Sequence, residues 1–234
     1  MEGEAGQRSN ALISRRIPLL QVLLPIHRAP IRLLVLGAHS DDIEIGCGGT
    51  VLRLLGESGE AEVRWVVFSA HGVRAKEAEE SARSFLKEAR NREVVLKSFR
   101  DGFFPYDGGE IKAIFEQMKG TFEPDLILTH FRHDLHQDHR LISELTWNTY
   151  RNHAILEYEV IKYDGDLGSP NFFVYLDEKT CQRKITVLEE CFASQRNRRW
   201  FAPETFLSLM RIRGVESNSP SNYAEGFYFR KMAY

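Results

Sequence analysis

Leu33, Leu34, Val35 and Leu36 form an unbroken aliphatic run that leads directly into Gly37-Ala38-His39-Ser40-Asp41-Asp42. A strand with apolar side chains on both faces has to be covered on both faces, the condition of a central strand in a parallel sheet. Residues 31–36 are therefore expected to be such a strand. Helical spacing over 50–55 follows a glycine cluster, and 63–68 is a second apolar strand. A helix is expected over 74–90, where Ala78, Ala82, Phe85, Leu86 and Ala89 make one stripe. Then come a strand at 93–96, a helix at 110–119, a strand at 125–128 and a helix at 141–150. This alternation predicts an α/β fold, Rossmann-like, with a mostly parallel, doubly wound sheet. Residues 157–163, 171–176 and 224–229 read as later strands and 178–195 as a long helix, a C-terminal extension of the same sheet. The expected organisation is an N-terminal arm, 1–30, and a single domain, 31–234.

Composition narrows the function classes. A net charge of -2 over 234 residues gives no reason to expect nucleic acid as a partner. Cys47, Cys181 and Cys191 are odd in number and lack CxxC spacing, which argues against a disulfide framework and fits a reducing compartment. The apolar stretch 12–24 is broken by Arg15, Arg16 and Pro18 and is too short to span a bilayer. A soluble cytoplasmic protein without stable membrane insertion is expected.

The chemistry sits at strand ends. In open α/β sheets ligands collect outside the carboxyl ends of the strands. His39 stands three residues after Leu36, and His136-Gln137-Asp138-His139 follows the 125–128 strand about a hundred residues later. Zinc favours imidazole nitrogen and carboxylate oxygen, and a catalytic site keeps one position open for water. His39 and Asp42 can converge on one ion from a strand-to-helix turn, with His139 as third ligand. Asp41, beside a ligand, is placed to act as the base, and His136 to stabilise the oxyanion or protonate the leaving amine. Asp138 is expected to hold a histidine in its protonated state. Taken singly, each motif has a plainer explanation: paired acids after a strand are usually helix caps and first-turn charges. Their joint occurrence at two matching strand ends is harder to explain that way. Gly46-Cys47-Gly48-Gly49 lacks both GxGxxG spacing and a P-loop lysine, so these glycines are read as letting the helix start approach the site. Glu44 reads first as a helix-start charge and second as a group behind the ligands, and His71, His130 and His133, near strand ends where they could line the pocket, read first as loop histidines without a chemical role.

Ala38-His39-Ser40-Asp41-Asp42 with Gly46-Cys47-Gly48-Gly49-Thr50 resembles the AHPDD…GxGGT signature of the LmbE-like, or PIG-L, N-acetylglucosaminyl deacetylases, and His136-Gln137-Asp138-His139 resembles their HPDH signature. The resemblance spans most of 31–150. It implies a zinc-dependent amidase acting on a small-molecule amino sugar or its conjugate, often as a homo-oligomer, with Fe2+ or another divalent ion as a substitute in cells. By that match His39, Asp42 and His139 are the metal ligands, Asp41 is the base, and His136 stabilises the transition state with Asp138 as its partner. Arg74 resembles the family arginine that binds sugar hydroxyls, and Asp101 its aspartate partner. Ser40 stands in place of the family proline. Asp134 stands where some members carry a tyrosine that assists the oxyanion. Two other functions compete: a dinucleotide-binding oxidoreductase and a non-catalytic sugar-binding protein on the same fold. The missing GxGxxG and the lack of an acidic residue ending the second strand oppose the first. The intact set His39, Asp41, Asp42, His136 and His139 opposes the second.

Overall fold

The structure is a computed structural model that describes residues 30–232. The expected arm and the 12–24 stretch lie outside those residues, apart from Pro30. Seven strands form one sheet in the order β3-β2-β1-β4-β5-β7-β6. The strands are β1 Ile31–His39, β2 Ala61–Ser69, β3 Asn91–Leu96, β4 Leu126–His130, β5 Ala154–Tyr158, β6 Phe172–Tyr175 and β7 Ala224–Phe229. The first five pair in parallel, whereas β7 runs antiparallel between β5 and β6. The chain builds outward from β1 through β2 to β3, then returns to place β4 on the other side of β1. That reversal opens a crevice beyond the carboxyl ends of β1 and β4, where an open α/β sheet binds its ligands.

The continuous apolar strands do what their pattern predicts. Leu33, Val35, Val63, Trp65 and Val67 point to one face and Leu34, Leu36, Val66 and Phe68 to the other, all of them buried. The first face is covered by α1 Asp42–Ser58, α2 Gly72–Phe85, α5 Glu178–Cys191 and α6 Pro203–Glu216. The second is covered by α3 Gly108–Thr121, α4 Gln137–Thr149 and the 3-10 turn Phe104–Tyr106. Among the described residues no helix is long and apolar enough to cross a membrane.

Four expectations change. His39 is the last residue of β1 instead of lying in a loop beyond it. The glycine cluster lies inside α1, not ahead of it, and serves packing: a Cβ on Gly46 would lie 2.1 Å from a Tyr158 ring carbon, one on Gly48 2.7 Å from Phe85, and one on Gly49 2.5 Å from Leu176. The strand expected at 157–163 ends at Tyr158, and α5 stops at Cys191 before a 3-10 turn, Ala193–Gln195. Helix α6 was not expected. Its buried face includes Arg213 and Gly214 beside Phe206 and Met210, so the apolar period that reveals a helix is broken.

A buried ion pair fastens α1 to the late strands. Glu225 of β7 accepts from the backbone N–H of Gly49 at 2.9 Å and of Thr50 at 2.7 Å, and from the Thr50 hydroxyl at 2.6 Å. Lys184 of α5 donates to Glu225 and to the Ile45 carbonyl, each at 2.7 Å.

Candidate active site

Both motifs meet at the crevice. Strand β1 delivers His39, the first turn of α1 delivers Asp42, and the first turn of α4 delivers His139. His39 Nδ1 lies 3.2 Å from His139 Nε2, and each nitrogen lies 3.3 Å from Asp42 Oδ2. The outer ring nitrogens have acceptors of their own. His139 Nδ1 faces Asp134 Oδ2 at 3.0 Å, and His39 Nε2 faces Asp138 Oδ2 at 3.2 Å and Asp101 Oδ1 at 3.0 Å. With those N–H groups pointing outward, two lone pairs and a carboxylate oxygen converge on one point. Such a triangle calls for a cation. Burial opposes charge on both rings, yet Asp42 and their other acidic neighbours raise both pKa values above the ordinary histidine value. Burial likewise opposes charge on Asp42, but His139, His39 and His130 together hold its carboxyl well below the usual range.

A divalent ion fits this donor set. Tetrahedral zinc with bonds of about 2.0–2.1 Å keeps its ligand atoms roughly 3.3–3.4 Å apart, close to the separations here. Among the described residues three other close groupings exist, His39 with His136 and His139, His39 with Asp101, His136 and Asp138, and Asp42 with His130 and His139. His136 Nδ1 already accepts the Asp138 backbone N–H at 3.3 Å, and His130 Nε2 that of Ala38 at 2.9 Å. Their lone pairs are engaged, which favours the first set.

Asp41 occupies the N-cap position of α1, but its carboxylate makes no capping hydrogen bond. The plain capping explanation therefore fails. Its Oδ1 accepts from Arg74 at 2.7 Å, and its Oδ2 is buried without a partner. Burial raises the Asp41 pKa above the usual carboxylate value, and Arg74 opposes that rise. Arg74 also donates to Glu77 at 3.3 Å and lies 5.6 Å from the centre of the Phe192 ring. Its guanidinium thus bonds two buried acids beside the crevice. Asp101 does reach the crevice, with 73% of its side chain exposed.

His136 is itself the N-cap of α4, so it precedes the helix instead of sharing its face with His139. Its ring centre is 4.8 Å from that of His39 and 4.7 Å from that of His139. Burial, helped by the charges of His139 and His39, lowers its pKa. Because Nδ1 accepts a backbone N–H, the neutral ring carries its proton on Nε2. Asp138 has different partners as well: its buried carboxylate accepts from Gly102 N at 2.6 Å and Phe104 N at 3.1 Å and faces His39, not the His136 ring.

Three residues matter more than their sequence reading allowed. His130 ends β4 fully buried, stacked 4.0 Å from His139, and burial holds its pKa near 4. Asp134 backs His139 and also accepts from the His136 N–H at 2.8 Å. Glu44 is no solvated helix-start charge: it is fully buried with neither carboxylate oxygen bonded, and burial pushes its pKa up to about 8. Acids next to His-x-x-His were visible in the sequence, but nothing in it signals the burial of Glu44. His71 and His133 are exposed, in keeping with their plain reading.

The fold has counterparts among known proteins. The fold matches N,N'-diacetylchitobiose deacetylase from Pyrococcus horikoshii at 19% identity and a TM-score of 0.67, covering 89% of this chain and 87% of that one. It also matches the zinc-inhibited form of teicoplanin deacetylase at 13% identity and 0.64, covering 85% and 97%. GalB, a 4-carboxy-2-hydroxymuconate hydratase from Pseudomonas putida, matches at 18% and 0.67, covering 87% and 98%, so the fold by itself does not dictate one reaction. No curated protein matches the chain. The family model for PIG-L, GlcNAc-PI de-N-acetylase, matches residues 34–150, half of the sequence and the half that holds both motifs. The chain belongs to the PIG-L family.

Proposed function

We propose that this protein is a divalent-metal hydrolase that removes an N-acyl group, foremost acetyl, from an amino sugar or a small-molecule amino-sugar conjugate. The observation that carries the reading is the triangle of His39 Nδ1, Asp42 Oδ2 and His139 Nε2 beside the free, buried Oδ2 of Asp41. Those three residues would hold the ion, with Zn2+ favoured by the mixed nitrogen and oxygen set and Fe2+ or Co2+ compatible with it. Bound there, the ion supplies Lewis acidity toward the amide carbonyl and toward water.

The chain's own groups do the rest. Asp41 Oδ2 takes the proton of the attacking water and returns it to the leaving nitrogen as the C–N bond breaks, while Arg74 holds Oδ1 and keeps the carboxylate oriented. His136 donates Nε2–H to the oxygen that gains charge as the amide carbon becomes tetrahedral. Asp138 acts at a distance: it fixes the 101–104 turn and the outer nitrogen of His39. Asp101, exposed at the mouth, is the acceptor for a sugar hydroxyl. The GalB likeness is answered by the same test. Protein loaded with Zn2+ is expected to release acetate and a free amine from N-acetylglucosamine conjugates, and His136→Ala to lower kcat on the order of 10²–10³-fold with metal content unchanged. Metal-loaded protein that releases no amine from a panel of N-acetylated sugars, nucleotide sugars and sugar lipids would overturn the reading.

A further inference from the structure

The loop that follows β5 reaches back over the site through one side chain. Lys162 has only 11% of its side chain exposed, and its Nζ donates to Asp134 Oδ2 at 3.0 Å and to Asp166 Oδ2 at 2.5 Å. Asp166 accepts in turn from the Leu135 N–H at 2.7 Å. Asp134 Oδ2 is the same atom that accepts from His139 Nδ1 at 3.0 Å. Lys162 therefore touches none of the three proposed ligands, yet stands one carboxylate behind one of them.

Charge balance explains why a cation belongs there. For Nε2 of His139 to offer its lone pair, the ring's proton has to sit on Nδ1, aimed at Asp134. A neutral imidazole leaves Asp134 with a full negative charge at 2% exposure. A buried carboxylate needs a charged partner as well as hydrogen bonds. Among the described residues, Lys162 is the one cation besides the His139 ring within ion-pair distance of it. It reaches Asp134 from a different loop, so the pair also fixes where Asp134 stands.

We infer that Lys162 is a positioning residue for the metal centre: through Asp134 it holds His139 in the tautomer and orientation that present Nε2 to the ion. This rests on the metal-hydrolase reading above. Partners one shell behind a ligating histidine typically govern 10–100-fold in metal affinity, and that is the size of effect expected here.

The test measures Zn2+ affinity by chelator competition and the visible spectrum of the Co2+-loaded protein, for wild type, Lys162→Met, Lys162→Gln, Lys162→Arg and Asp134→Asn. Lys162→Met and Lys162→Gln are expected to lose 10–100-fold in affinity and to alter the Co2+ spectrum, and Lys162→Arg to restore most of both. In the Asp134→Asn background, adding Lys162→Met is expected to cost little more, because both changes break one chain of contacts. A merely structural lysine would lower the melting temperature and leave affinity and spectrum alone. Wild-type affinity in Lys162→Gln, or losses from Lys162→Met and Asp134→Asn that simply multiply, overturns the inference. A wild type that binds no divalent ion overturns the metal-hydrolase reading, and this inference falls with it.

Discussion

Asp41 and Asp42 adjoin in the chain and sit in opposite fields. Three histidines draw Asp42 down, whereas burial lifts Asp41, and Arg74, helped by His39, pulls it back. A base must be ionised to accept a proton, so activity rises with pH through its pKa. Removing Arg74 lets that pKa climb. Arg74→Met is therefore expected to move the acidic limb of the kcat profile to higher pH, and an unmoved limb would show that Arg74 does not serve the base. Asp41→Asn is expected to keep its metal and lose roughly 10²–10⁴-fold in kcat, measured by metal content and turnover on the same sample. Glu44 gives a stability readout. Its pKa rises from an ordinary 4.5 to about 8 on folding, so its contribution is complete below 4.5 and lost as pH rises through about 8. In the metal-free protein Glu44→Gln is expected to gain on wild type from pH 5 to 8, toward about 4 kcal/mol, and denaturant melts with a constant difference would refute it. At this scale the sequence was most legible where one residue type does one job. That His39, Asp42 and His139 would meet is readable because both motifs follow strands that end at one rim of the sheet. The partners that Arg74 and Asp138 take, Asp41 and His39, are 33 and 99 residues away in the chain and so are not visible in the sequence.

Helix α1 has to lie close to three neighbours at once, and its glycines are what permit this. Gly46 faces Tyr158, whose hydroxyl donates to the Leu36 carbonyl at 2.6 Å and lies 3.3 Å from His130 Nε2. A methyl group at Gly46 thus presses on a ring that touches the strand ends of the site. Gly46→Ala is expected to cost about 1–3 kcal/mol in a denaturant melt and to weaken metal binding with it. A variant as stable as wild type would mean that α1 can shift at no cost. The parallel strands were legible because two-sided burial leaves unbroken apolar runs. Strand β5 was misplaced because Glu157 and Glu159, which look like exposed positions, are buried partners of Arg230 and Arg213. The same kind of inward charge hid α6.

In the molecule as a whole, the site is a small charged region at the edge of a large apolar core. Both faces of the sheet are filled independently of any ion. Chelation is therefore expected to lower the melting temperature without unfolding the protein at room temperature, by the equivalent of about 4 kcal/mol at a thousandfold excess of ion over its Kd. Calorimetry with and without chelator checks this, and a melt indifferent to added Zn2+ would remove the ion from the folded state. The Glu225 and Lys184 contacts with α1 carry a consequence for how the protein is made. Every residue proposed to touch the ion or the substrate lies at or before position 139, but Glu225, which bonds to Gly49 and Thr50 in the middle of α1, lies 86 positions further on. Translation thus delivers the proposed catalytic groups well before the clasp for their helix. A nascent chain holds the motif-bearing half before it holds a finished site, and removal of β7 is expected to weaken the site without removing a single proposed catalytic side chain.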